Sequence, residues 1–124
     1  MIVGTARDAA DLLEPLFAEA RGEKLAILLL DAERRLIAID EHPLGSEQSV
    51  VLPMPEIIAS ALSSRAAGLI VAHNHPSGDP HPSAADIEAT RRLFQTAAAL
   101  GIRLHDHLIF AGPSCYSFRG LGLL

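Results

Sequence analysis

The sequence has one cysteine, Cys115, no tryptophan, and only one tyrosine and four phenylalanines among 124 residues. A lone cysteine can form neither an intramolecular disulfide nor a cysteine-rich zinc site. Secreted disulfide scaffolds, zinc fingers and the zinc deaminase signature with its cysteine ligands are therefore excluded. So few aromatic rings leave no stacking platform for single-stranded nucleic acid. No apolar run approaches the ~20 residues of a membrane span, and no charged stretch followed by an apolar one opens the chain. Neither anchor nor signal peptide is expected, and the chain reads as cytoplasmic. Positive charge is scarce too: ten Lys and Arg against fifteen Asp and Glu give a formal charge of −5, and the bases are spread from Arg7 to Arg119. A nucleic-acid surface needs clustered bases to displace phosphate counterions, so nucleic acid is not an expected partner of this domain.

What is present is a core. Hydrophobic residues make up 49% of the chain, enough to close one core at this length and too few for two. Three prolines gather at Pro76, Pro80 and Pro82. A linker there would leave pieces of roughly 75 and 40 residues, marginal as separate domains, so the stretch reads as a loop inside one domain spanning residues 1–124.

Thr5 can cap a helix in which Ala9, Leu12, Leu13, Leu16, Phe17 and Ala20 share one buried face; Pro15 either kinks it or begins a second segment. Lys24 to Leu30 and Leu36 to Asp40 read as a hairpin around the polar turn 31–35. A third strand is expected over Ser49 to Leu52, a helix from Pro55 to about Arg65, and a buried strand from Gly68 to Ala72. Ser83 to Leu100 carries the clearest helical pattern, with Ile87, Leu93, Phe94 and Ala97 to Leu100 as its buried face and Gly101 as its C-terminal cap. Strands near Ile102 to Ala111 and Cys115 to Phe118 complete an α/β or α+β sandwich with helices covering a mixed central sheet.

The chemistry lies between the strand ending at Ala72 and the helix starting near Ser83. His73 and His75 are two apart, so at a strand end their imidazoles project the same way and can share one ion. The Pro-rich loop turns the chain back, allowing Asp86 in the first turn of the next helix to supply a carboxylate as third ligand. Three ligands leave a fourth position open, the arrangement of a catalytic zinc. Ser83 and Asp86 also have a simpler explanation, a helix cap with an acidic first-turn residue facing the dipole. The literal string His-Asn-His does not make an HNH nuclease, and a metal-dependent nuclease would sit poorly with a charge of −5.

The pattern His73-x-His75-Pro76-x6-Ser83-x2-Asp86 resembles the JAMM metal-binding motif of MPN/JAB domains. The wording from His73 to Thr90 resembles the RadC family in particular. Glu23 and Asp31 match the acidic residue ahead of the first strand and the aspartate eight residues later. Gly45-Ser46, Leu52 to Ala61, Asp106-His107-Leu108-Ile109 and Tyr116-Ser117-Phe118 fall on other recurring groups of the family. Pro55 replaces its usual arginine before Glu56, and His105 replaces its usual aliphatic residue. The N-terminal helix-hairpin-helix segment of longer RadC proteins is not expected here, so the resemblance implies a DNA-repair role only through the family's name.

The resemblance implies a three-layer, cytidine-deaminase-like α-β-α sandwich with one Zn2+ held by His73, His75 and Asp86. It implies that Glu23, otherwise a solvated glutamate at a strand start, is the general base toward a zinc-activated water, and that Ser83 donates a hydrogen bond to the developing oxyanion. Asn74, Ser77 and Asp79 are expected to brace the loop. His42, His81, His105 and His107 are assigned to surface or structure, and Cys115 to a packed thiol. The implied activity is that of a zinc metallopeptidase or isopeptidase acting on a peptide or protein substrate. The alternative is a non-enzymatic RadC-like module in a protein or DNA-repair-related assembly, where zinc only rigidifies the loop. Oligomeric state is not encoded in anything the sequence displays.

Overall fold

A computed structural model describes residues 1–44 and 52–124. Among these residues lie three helices, α1 (Ala6–Ala18), α2 (Met54–Ser63) and α3 (Ala84–Ala99), and five strands. The strands are β1 (Lys24–Leu30), β2 (Leu36–Pro43), β3 (Gly68–Asn74), β4 (Arg103–Ala111) and β5 (Ser114–Ser117), in the order β2-β1-β3-β4-β5. Every neighbouring pair is antiparallel except β3 and β4, which are parallel. A parallel pair needs a long crossover, and α3 provides it. The strand expected over Ser49 to Leu52 and the Gly45-Ser46 pair lie outside the described residues, except for Leu52, whose side chain is buried in the core.

The sheet separates two cores because side chains alternate across it. Leu25, Ile27 and Leu29 of β1, with Leu69 and Val71 of β3, pack against Ile57 and Ala61 of α2 and Leu93 and Ala97 of α3. Ala26, Leu28 and Leu30, with Ile70 and Ala72, pack against Ala9, Leu13 and Phe17 of α1. Helices therefore cover both faces, giving an α/β sandwich around a mixed sheet. No helix among the described residues is long and apolar enough to cross a membrane.

Local chemistry explains the boundaries. Thr5 Oγ1 accepts from the Asp8 backbone N–H at 3.1 Å, and Asp8 Oδ2 accepts from the Thr5 N–H at 3.2 Å, closing a capping box on α1. The helix passes through Pro15 as one element. Pro15 and Asp11 are both exposed, so the Asp11 carbonyl deprived of its usual N–H partner faces water. In the β1–β2 turn, Asp31 Oδ1 accepts from the N–H groups of Glu33 and Arg35, and Arg34 takes the left-handed conformation at φ 65°. Gly101, at φ 78°, ends α3 as expected.

Two expectations are corrected. The buried stripe of α3 is Asp86, Thr90, Leu93 and Ala97; Phe94 and Leu100 are exposed. The stripe is half polar because its first turns face the site and only its last turns face hydrocarbon. Cys115 is exposed on the edge strand β5, at the rim of a cavity of about 500 Å³ between α1 and β4–β5. Partial burial of the thiol and the nearby Asp106 carboxylate push its pKa up to about 11, so it stays protonated.

The β3–β4 ladder contains a bulge. Leu69 pairs with Leu104 and Ile70 with Asp106, so His105 is an extra residue in β4. Before this bulge Leu104 joins the α2–α3 core; after it Leu108 and Phe110 join the α1 core, although 104 and 108 share parity. The bulge thereby turns His107 onto the same face as His73.

Candidate metal centre

His73 is buried at the end of β3 on the α3 side of the sheet, and His75 follows it as the chain leaves the sheet. The His75 backbone N–H donates to the Phe110 carbonyl at 2.8 Å, holding the loop start against β4. The His75 ring donates from Nδ1 to the Asp79 carbonyl at 2.8 Å, so its Nε2 carries only a lone pair. That Nε2 lies 3.0 Å from His73 Nε2 and 3.3 Å from Asp86 Oδ2, while His73 Nε2 lies 3.7 Å from Asp86 Oδ1. The nearest carboxylate oxygen differs for the two rings, and with one ligand atom taken from each residue the three atoms lie within 4.8 Å of one another, close enough to share one ion. Two imidazole nitrogens and one carboxylate suit zinc among the divalent cations, so the residues present fit the group. His73, His75 and Asp86 could hold a metal ion.

Asp86 is positioned by its helix. Ser83 Oγ accepts from the Asp86 N–H at 3.0 Å and Asp86 Oδ2 accepts from the Ser83 N–H at 2.9 Å, a second capping box. The cap and the metal geometry coexist: the same carboxylate that closes the box faces both histidines. In the cap, Ser83 Oγ is an acceptor, which leaves its hydroxyl hydrogen available.

Glu23 reaches the site through the β1–β3 ladder. Leu25 pairs with His73, and beyond that pair the Asn74 side chain replaces the backbone: its Oδ1 accepts from the Lys24 N–H at 2.8 Å and its Nδ2 donates to the Gly22 carbonyl at 2.9 Å. Asn74 thus braces the backbone on either side of Glu23. Glu23 Oε1 is buried with no hydrogen-bond partner among the described residues. Burial raises the pKa of its carboxyl, with His75 acting against the shift and Asp86 with it.

The family model described as RadC-like JAB domain matches residues 3–123. The chain belongs to the RadC family. Among curated relatives, a UPF0758 protein of Rhodobacter capsulatus is 41% identical over 114 residues, covering 92% of this chain and 53% of its own length. One from Coxiella burnetii (strain Dugway 5J108-111) is 40% identical over 122 residues, covering 98% and 54%. One from Clostridium novyi (strain NT) is 33% identical over 123 residues, covering 99% and 54%. The RadC-like chain spans about half the length of these relatives.

In this RadC-like domain His73, His75 and Asp86 form one cluster, Ser83 caps the helix that carries Asp86, and Glu23 lies immediately ahead of β1. His42 lies on β2, His81 pairs with Asp79 at 2.6 Å on the exposed loop, and His105 accepts from Arg34 at 2.9 Å; none joins the cluster. His107 lies against it. It is fully buried, stacked on Phe118 at 4.4 Å, with Nε2 at 2.8 Å from His73 Nδ1 and Nδ1 at 2.7 Å from Thr90 Oγ1. Thr90 Oγ1 donates to the Asp86 carbonyl at 2.7 Å. Sequence reasoning gave His107 no link to the ligands because an unmarked bulge decides its face; the only signal was Thr90 at i+4 from Asp86. Burial lowers the pKa of His73 to about 4, with Asp86 acting against it and His75 with it, and burial beside His73 and His75 lowers that of His107 far below 6.5. Both rings are neutral at neutral pH, the state a metal ligand and its supporting imidazole require.

Proposed function

We propose that this domain is a zinc-dependent hydrolase of peptide or isopeptide bonds, with His73, His75 and Asp86 as the metal ligands. The observation that carries this reading is a His-His-Asp cluster whose ligand atoms lie within 4.8 Å of one another, together with a partly buried glutamate whose Oε1 is buried without a hydrogen-bond partner among the described residues. JAB domains with this motif are typically hydrolytic, which supports the same reading.

Zinc held there supplies Lewis acidity that makes water a competent nucleophile at neutral pH. Glu23 takes the proton of the attacking water and later delivers it to the leaving amine; a carboxyl whose pKa burial has raised is suited to both halves of that task. Ser83, its hydroxyl hydrogen unused by the cap, donates to the oxyanion that develops on the attacked carbonyl. Asn74 braces the backbone on either side of Glu23. The substrate is a peptide or protein rather than nucleic acid, in keeping with the charge of −5, and the single cysteine suits a cytoplasmic location.

A screen of peptide and isopeptide substrates with the purified chain, run with and without a chelator, tests the proposal. Hydrolysis that disappears with chelator and returns with zinc is the expected result. Zinc bound without hydrolysis of any substrate in either class would favour the accessory module.

A further inference from the structure

From the hydrogen bonds behind His73 we infer that His107 and Thr90 are positioning residues of the metal centre: together they hold His73 in the one tautomer that offers a bare Nε2 to an ion. The inference rests on the metal-centre reading above and adds to it two residues that touch no ion.

The direction of each bond follows from what each atom can do. The Asp86 carbonyl can only accept, so the Thr90 hydroxyl hydrogen lies on their 2.7 Å contact. Thr90 Oγ1 then has only lone pairs to offer His107, and the hydrogen of that 2.7 Å contact belongs to His107 Nδ1. A neutral imidazole has one N–H, so His107 Nε2 is an acceptor. The hydrogen of its 2.8 Å contact with His73 therefore sits on His73 Nδ1, and His73 Nε2 is left with its lone pair facing His75 and Asp86. The Asp79 carbonyl bares His75 Nε2 by the same logic. Reversing the chain would turn the Thr90 hydroxyl toward His107 and leave two oxygens 2.7 Å apart with no hydrogen between them and nothing to fill the gap, whereas the two bare Nε2 atoms, 3.0 Å apart, face the place that an ion would occupy. The relay begins at the backbone carbonyl of one ligand and ends on the ring of another. Its side chains are buried, His73 and His107 at 0% exposure and Thr90 at 1%, so water offers no competing partner. Thr90 lies on α3, one turn past Asp86, while His107 reaches the face of His73 only because of the bulge at His105.

Imidazole 15N NMR of the folded full chain, metal-free and with zinc, tests this directly, alongside zinc affinities of His107→Phe, Thr90→Val and His107→Gln. Protons on Nδ1 of both His73 and His107 are expected in the wild type. His107→Phe keeps a ring against Phe118 and removes the acceptor, and Thr90→Val removes the hydroxyl at constant shape. Each should weaken zinc binding about 10–100-fold, as loss of a partner behind a ligand does. His107→Gln, whose amide oxygen can accept from His73, should recover part of that loss. A proton on His107 Nε2, or wild-type zinc affinity in both His107→Phe and Thr90→Val, would overturn the inference. Should His107→Phe fail to fold, the wild-type tautomers and Thr90→Val still decide it. A wild-type chain that binds no zinc contradicts the metal-centre reading instead, and the tautomers then judge the relay alone.

Discussion

The chain builds the same helix cap twice and uses it for different ends. Thr5 with Asp8 opens α1, and Ser83 with Asp86 opens α3; in each, the hydroxyl accepts from the backbone of the carboxylate residue and the carboxylate from the backbone of the hydroxyl residue. The bond lengths agree within a few tenths of an ångström: 3.1 and 3.2 Å in α1, 3.0 and 2.9 Å in α3. The difference is what lies beyond the carboxylate. Asp8 faces water, whereas Asp86 is 4% exposed and faces two imidazoles. A capping box fixes a carboxylate in space without saying what it is for. Purpose comes from the strand end placed opposite.

The comparison can be broken most severely at the second cap. Asp86→Asn keeps an oxygen that can accept from the Ser83 N–H but loses the anionic ligand; zinc retention should fall by more than about 100-fold, beyond the loss expected for a residue behind a ligand. Asp8→Asn, the same change at α1, should leave zinc binding untouched. Equal retention by both variants in elemental analysis after dialysis would erase the distinction.

Glu23→Gln sharpens the comparison from the side of chemistry. It is nearly isosteric and removes the proton acceptor, so hydrolysis of a substrate once found should fall about 10²–10⁴-fold, while zinc content and Tm stay near wild type. Full activity in this variant would remove Glu23 from the mechanism, and loss of zinc would make it a ligand or support. At the first cap, Thr5→Ala should lower stability by about 1 kcal/mol without changing metal affinity, measurable by urea unfolding with zinc titrated separately.

A separate effect is expected on pH. His73 and His105 have folded pKa values lowered to about 4 from 6.5, His73 mainly by burial and His105 by burial and the nearby Arg34, Arg103 and Arg119. Below pH 6.5 the unfolded chain therefore binds protons that the folded chain refuses. Stability of the metal-free protein should fall as pH drops from about 6.5 toward 4 and be flat above that window. A Tm that rises on acidification through this range would contradict the assignment.

Much of this was legible before the fold was known, for identifiable reasons. Caps at Thr5 and Ser83, the hairpin around Asp31, the Gly101 terminator and the His-x-His strand end are local features, written within a few neighbouring residues. His107 was not legible, because its face depends on one extra residue in β4, and a bulge leaves no compositional mark. The face of α3 was misread for a related reason: counting apolar residues selects Phe94 and Leu100, but the inner strands β3 and β4 below the first turns of α3 carry His73 and His107, so the helix buries Asp86 and Thr90 there. Cys115 was assigned to a packed interior because its neighbours are apolar, whereas a four-residue edge strand has no layer to cover it.

The central claim is that His73, His75 and Asp86 together bind one metal ion. Zinc titration of the chelator-stripped chain by calorimetry, repeated with His73→Ala, measures it. About one zinc per wild-type chain, and affinity lost in His73→Ala while its folded secondary structure persists, is the predicted result. Undiminished stoichiometric binding in His73→Ala, or no binding by the wild type, would contradict it.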